Sequence, residues 1–210
     1  YIDLCEQNVI DAINCNLNGV YTILNHISRA TKLVHLSTDK VCSPSVYGAT
    51  KLLAERLVLA VGGSVVRAGN VFGSDGSIVP RWRESLLAGE DKIPVTDERM
   101  SRYFIQTDAL VDALLSPDLQ PGKVFIPELR IAKILDVARA ALAVWGKPGA
   151  TIEITGIRPG ENLMEHLTLH EEPNVIGPGR TEAFHPDSQG NWRIEQNELE
   201  LWMRQWEKAR

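Results

Sequence analysis

Apolar residues at Ile10, Ile13, Leu17, Val20, Leu24 and Ile27 recur in threes and fours, which predicts an amphipathic helix ending near Ala30. A short apolar run follows, Leu33-Val34-His35-Leu36, and reads as a strand whose tip is Ser37-Thr38-Asp39-Lys40. The next helix opens near Val46, presents Leu53, Leu57 and Ala60 to a sheet, and stops at Gly62-Gly63. Ser64-Val65-Val66-Arg67 then reads as a second, buried strand. Strand–helix–strand alternation of this kind predicts an α/β fold with a parallel sheet.

Beyond Gly69-Asn70 the pattern loosens. Gly73, Gly76 and Pro80 mark a loop, residues 81–87 predict a helix, Phe104-Ile105 a short strand, and Thr107 caps a helix through Leu115. Residues 124–126 predict a strand, residues 131–145 a strongly apolar helix, and residues 151–155 a strand ending in Gly156-Ile157-Arg158-Pro159-Gly160-Glu161. Residues 170–190 are loop-like, and a last amphipathic helix packs Leu199, Trp202 and Trp206 on its lobe.

At 210 residues, 44% hydrophobic and 23% charged, the chain has the makings of an ordinary globular core. Its net charge of -5 and scattered basic residues give no electrostatic reason for a nucleic-acid partner. Cys5, Cys15 and Cys42 have neither zinc-ligand spacing nor a disulfide framework, so a reducing cytoplasm is expected and the cysteines read as small core residues. No apolar run reaches membrane-spanning length. No Gly-x-Gly-x-x-Gly follows an apolar strand, and the first residue is Tyr. A dinucleotide phosphate cradle is therefore expected upstream of Tyr1, in roughly 80–100 further residues, and the 210 residues alone are expected to hold dinucleotide poorly.

In open α/β sheets ligands bind at the carboxyl ends of the strands. A hydroxyl (Thr38), a carboxylate (Asp39), an amine (Lys40), a phenol (Tyr47) and a second amine (Lys51) would converge there. A tyrosine, with an ordinary pKa near ~10, needs a neighbouring cation to act as a base, and Lys51 one helical turn on supplies it. Such a pair removes a proton from an alcohol while a hydride leaves for a nicotinamide. Asp39 and Lys40 form a second set, Asp39 giving a proton and Lys40 taking one once repulsion from Lys51 makes it shed its own. The plainer alternatives are a surface Tyr/Lys pair and a solvated turn.

The run Leu36-Ser37-Thr38-Asp39-Lys40, then Tyr47-Gly48-Ala49-Thr50-Lys51, resembles the inverting UDP-N-acetylglucosamine 4,6-dehydratases. These belong to the extended short-chain dehydrogenase/reductase superfamily and are polysaccharide biosynthesis proteins. The resemblance continues through Arg67-Ala68-Gly69-Asn70, the stretch 93–103 with Arg102, and Gly156-Ile157-Arg158-Pro159-Gly160-Glu161, spanning residues 8–166 in co-linear order. The spacing from Lys40 to Tyr47 is one residue shorter than the family usually has, and Asp75 stands where a basic residue is usual.

The resemblance implies residues 1–68 as the second half of a Rossmann-like NAD(P)-binding domain and residues 69–210 as a smaller mixed α/β substrate lobe with interleaved sheet elements. It implies tightly bound NADP or NAD, held in part by Thr38, Tyr47 and Lys51, a UDP-sugar substrate, and a homo-oligomer of the full-length protein. Tyr47 would take the C4 hydroxyl proton during oxidation, Lys40 the C5 proton, and Asp39 would protonate the departing C6 hydroxyl. Asn70, Arg102, Arg158 and Glu161 would contact the nucleotide sugar, although a turn-forming Asn and structural salt bridges are open alternatives. Asn16 resembles the superfamily's helix asparagine, with Asn18 as the other candidate. The rival readings are a nucleotide-sugar epimerase or reductase that uses only Tyr47 and Lys51, and a non-catalytic nucleotide-sugar-binding chain.

Overall fold

The computed structural model describes residues 2–28, 30–157, 161–170, 172–180 and 193–210. It is mixed α/β and divides into two compact units, one of residues 1–69, 105–129 and 165–181, the other of residues 70–104, 130–164 and 182–210.

The first unit is built on a four-stranded parallel sheet. Its strands, in spatial order, are Val34–Thr38, Ser64–Ala68, Val124–Phe125 and Val175–Ile176. All five residues of Ser64–Ala68 are buried, as expected for a parallel strand covered on both faces. Helix Val46–Ala60 connects the first two strands and turns Ala54, Glu55 and Val58 inward. That corrects the inward stripe of Leu53, Leu57 and Ala60. Leu53 is half exposed and, with Leu57, Leu17 and Tyr21, lines a shallow groove between helices. The inward face is rotated because Glu55 is drawn to a charge in the sheet: Arg67, itself 0% exposed, holds Glu55 through two bonds at 2.6 and 3.0 Å.

Ahead of the first strand, helices Ile2–Gln7, Val9–Ile13 and Gly19–His26 replace the single helix to Ala30. A π-helical stretch, Asn14–Asn18, interrupts them, and Ile10 is 70% exposed rather than buried. Such π-turns concentrate at functional sites because they re-aim side chains. Here Asn16 donates from Nδ2 to Thr50 Oγ1 at 3.0 Å.

In the second unit, strand Ser101–Ile105 pairs antiparallel with Arg130–Lys133 and neighbours Asn70–Val71. Lys92–Val95 pairs in parallel with Thr151–Ile154. Helices Ile78–Leu87, Ile134–Trp145 and Gln196–Lys208 close over a core that includes Phe72, Trp82, Ile93, Phe104, Val137 and Met203. Trp202 and Trp206 pack against this core, Trp202 edge-on to Phe72 with ring centres 5.2 Å apart. Gly73, at φ +71°, lies so close to the Trp206 ring that a Cβ there would overlap it.

Three local expectations are corrected. Residues 131–133 are strand rather than the start of the helix, because an apolar pair such as Ile131-Ala132 does not by itself distinguish the two. Thr107 is the first helical residue, and the cap is Gln106, whose side chain makes no capping bond. Within residues 170–190, Val175–Ile176 is the fourth strand of the parallel sheet. The sequence pattern also passes over Lys92–Val95, whose Pro94 argues against a strand; a two-stranded ribbon is all edge and tolerates it.

Candidate active site

Thr38 ends the first strand and caps a 3₁₀ turn, Asp39–Cys42, its hydroxyl accepting from Lys40 N at 3.3 Å. The same hydroxyl donates to Asp39 Oδ1 at 3.1 Å, and Lys40 Nζ donates to that oxygen at 2.8 Å. Asp39 is fully buried, and its other carboxyl oxygen has no hydrogen-bond partner among the described residues. Burial pushes its pKa up against the pull of Lys40.

The helix that bears Tyr47 and Lys51 starts at Ser45, whose hydroxyl accepts from Gly48 N at 3.0 Å. Glu6 adds a second cap, its carboxylate accepting from Val46 N at 2.7 Å. Gly48 allows the helix to press on the 3₁₀ turn, since a Cβ there would overlap the carbonyl oxygens of Lys40 and Ser43. The Tyr47-Gly48 pair therefore sits directly against the Asp39-Lys40 turn. Thr50 ties the arrangement together, donating to Tyr47 O at 2.9 Å while accepting from Asn16.

Burial, then the charges of Asp39 and Cys5, push the Tyr47 phenol up. Lys51 is held below its ordinary value by burial, with Glu55 opposing, and it donates to Leu36 O at 3.1 Å. The expected lowering of Tyr47 by Lys51 is not what the structure has, because the ammonium is turned onto the strand carbonyl and desolvation of the phenol dominates. Nor is Lys51 the main charge facing Lys40; the Nζ of Lys40 lies between Asp39 and Glu165, the latter at 3.8 Å.

His35, two residues inside the strand, is lowered to about 4 by burial and then by the Lys51 charge. Its neutral form is favoured in the folded state, so this contribution to stability is full above the unfolded value of 6.5 and is lost as pH falls through about 4. His35→Gln should therefore flatten the loss of thermal stability across that window by about 2 kcal/mol, the open side of the ring being screened by water. Melting curves of both proteins at stepped pH check this; parallel curves would remove His35 from the account.

Thr38, Asp39, Lys40, Tyr47 and Lys51 are thus brought together within the first unit. Asn70, Arg102 and Glu161 belong to the second. Asn70 donates to Tyr103 O at 2.9 Å, and Arg102 gives Nη1 to Ser101 O at 2.7 Å and Leu163 O at 3.3 Å. Glu161 is half-buried. Arg158 lies outside the described residues. None of the cysteines is fully buried, correcting their reading as core residues, and Cys42 is pushed up to about 12, chiefly by burial, which makes it a poor nucleophile.

Two groups escaped the sequence reading. Arg67 sits inside an otherwise apolar strand, a signal in itself. Besides Glu55 it binds Glu172 at 2.6 and 3.1 Å and Leu167 O at 2.9 Å. Glu165 carries no local signal, being 122 residues from the Ser43 hydroxyl that donates to it at 3.1 Å.

The sequence profile of polysaccharide biosynthesis proteins matches residues 1–177. The chain belongs to the polysaccharide biosynthesis protein family. Its relatives include the UDP-N-acetylglucosamine 4,6-dehydratase (inverting) of Campylobacter jejuni, 34% identical over 189 residues, which are 83% of this chain and 55% of that protein. The UDP-glucose 4-epimerase of Rickettsia typhi is 29% identical over 185 residues, 81% of this chain and 54% of that protein. The chain spans about half the length of these curated relatives. Among solved structures, Pen from Bacillus thuringiensis matches with a TM-score of 0.80 and 27% identity, covering 98% of this chain and 71% of that one. Other structures that share the fold, at 19% and 18% identity, are in complex with NAD and NADPH. No helix among the described residues is long and apolar enough to cross a membrane.

Proposed function

We propose that the protein carrying this chain is a cytoplasmic nucleotide-sugar 4,6-dehydratase that converts UDP-N-acetylglucosamine, or a close UDP-sugar, to a 4-keto-6-deoxy sugar with inversion at C5. The observation that carries this reading is the buried Asp39, paired with Lys40 at 2.8 Å, against the helix start that bears Tyr47. An epimerase or reductase has no step for an acid and a second amine there.

Thr38, Tyr47 and Lys51 fit the ribose and nicotinamide end of NAD or NADP: a hydroxyl, a phenol and an ammonium with three donors, one of which goes to Leu36 O. When bound, the dinucleotide accepts a hydride from the sugar and later returns it, so it is regenerated in each cycle. Tyr47 acts as a phenolate that takes the proton of the C4 hydroxyl and becomes a neutral phenol, and Lys51 on the same helix is the cation that favours the phenolate beforehand. The new C4 carbonyl acidifies C5, where Lys40 takes the proton. Asp39, whose pKa burial raises, gives its proton to the C6 oxygen, which leaves as water. Reprotonation of C5 from the opposite face inverts it. Asn70, Arg102, Arg158 and Glu161 anchor the nucleotide sugar, the arginines on the diphosphate.

Full-length protein turned over with UDP-N-acetylglucosamine in deuterated water decides the matter. Product should form with one deuterium at C5. An epimerised sugar with no loss of water would favour the reading in which only Tyr47 and Lys51 act, and the absence of any turnover would favour a binding role.

A further inference from the structure

The proton that Lys40 takes from C5 turns a neutral amine into an ammonium in a pocket where its side chain is only 12% exposed. As the C5–H bond breaks, its electron pair enters the enolate and the proton joins the Lys40 nitrogen. The Asp39 proton passes to the C6 oxygen, the C6–O bond breaks, and water leaves. Asp39 thus becomes an anion as Lys40 becomes a cation, and a second carboxylate already faces the same nitrogen.

That carboxylate is Glu165, 6% exposed, with Oε1 at 3.8 Å from Lys40 Nζ. It is aimed from two sides. The Ser43 hydroxyl, just beyond the 3₁₀ turn, donates to Glu165 Oε2 at 3.1 Å. Two residues on, Leu167 O is bound by the buried Arg67 at 2.9 Å, and Leu169 N donates to Glu172, which the same guanidinium holds. A residue far along the chain is in this way fixed to the sheet beneath the strand tip. The charge of Glu165 is also among the causes that hold Asp39 up, after burial itself.

We propose that Glu165 is a positioning residue for the elimination step, holding the Lys40 amine toward C5 and stabilising the ammonium as it forms. This rests on the dehydratase reading above. Glu165 contributes nothing to the C4 oxidation, which belongs to Tyr47 and Lys51. An electrostatic partner set in place before the reaction acts on the transition state without reorganising.

The test uses full-length wild type, Glu165→Gln, Glu165→Asp and Ser43→Ala. In Glu165→Gln, kcat for water loss and C5 deuteration should fall about 30-fold, less than the ~10²–10³-fold that removing a direct transition-state donor costs. KM and the rate of C4 oxidation, read from nicotinamide absorbance, should stay within about twofold, because they report on groups Glu165 does not act through. Glu165→Asp should recover part of the loss, and Ser43→Ala should show a smaller loss of the same kind. A Glu165→Gln enzyme that eliminates within twofold of wild type overturns the proposal. So does one that loses oxidation, elimination and melting temperature together, which marks a purely structural residue.

Failure of the dehydratase reading shows separately, as wild type that places no deuterium at C5. Acylation of Lys40 by an amine-selective reagent, read by peptide mass spectrometry with Lys51 as the internal reference, then decides the positioning claim. Glu165→Gln should label Lys40 several-fold faster because the amine is less restrained, and unchanged labelling overturns the claim.

Discussion

Asp39→Asn in the full-length protein is expected to cut formation of the deoxy product by about 10²–10⁴-fold, the range that a general acid supplies. C4 oxidation should survive, because in the proposed mechanism it runs through Tyr47 and Lys51. Asn keeps the shape and the acceptor oxygen that Thr38 and Lys40 use, so the turn should stay in place. It lacks only the proton to give. Substrate recovered from deuterated water should then carry deuterium at C5 while retaining its C6 oxygen, since Lys40 still exchanges that proton. Stability should not suffer at neutral pH. The folded-state pKa of Asp39 is raised above 3.8, so its favourable contribution is complete only below that value and is lost as pH rises through the folded value. Above that, the buried carboxylate is a cost that Asn removes. An Asp39→Asn enzyme that loses water at the wild-type rate would move the acid role to another group.

Arg67→Met is expected to destabilise the chain by about 3–5 kcal/mol, a loss characteristic of removing one partner from a buried ion pair. Burial works against the charge of Arg67, and bonding to Glu172 and Glu55 overcomes it and leaves its pKa raised. Without the guanidinium, Glu55 and Glu172, at 0% and 4% side-chain exposure, become two adjacent carboxylates with little water around them. Arg56, which reaches Glu172 at 2.9 Å, is half exposed and compensates only in part. A fall in Tm of roughly 10 °C should follow in thermal melts. Adding Glu55→Gln should recover much of it, because the cost lies in the stranded charges rather than the missing contacts. A loss below about 1 kcal/mol would mean that water reaches the carboxylates and the clamp is not what holds residues 165–172 to the sheet.

The parallel sheet and the gathering of the candidate groups at one strand tip were legible in the sequence for one reason: their signals are local. Alternation of short apolar runs with helical periodicity reports the strand–helix–strand unit directly, and Thr38, Asp39, Lys40, Tyr47 and Lys51 fall within one such unit. Where local signals were ambiguous, the reading slipped. Ile131 and Ala132 run straight into the apolar helix that follows, Pro94 disguises a strand, and nothing local marks the π-turn that aims Asn16 at Thr50.

What only the tertiary structure decided is which charges are buried and what they face. Glu55 and Leu53 lie two residues apart on one helix, and periodicity gives the inward place to the leucine; the buried guanidinium of Arg67 gives it to the glutamate. Lys40 and Lys51 are near in sequence, yet a carboxylate from far along the chain, Glu165, faces the Lys40 amine beside Asp39. Periodicity and short-range spacing encode local geometry, whereas the energy of a buried charge depends on partners supplied by any part of the chain. The amino-acid sequence alone determined the sheet, the strand tip and the chemical groups gathered there; folding decided how far each is desolvated and which carboxylates share the Lys40 ammonium.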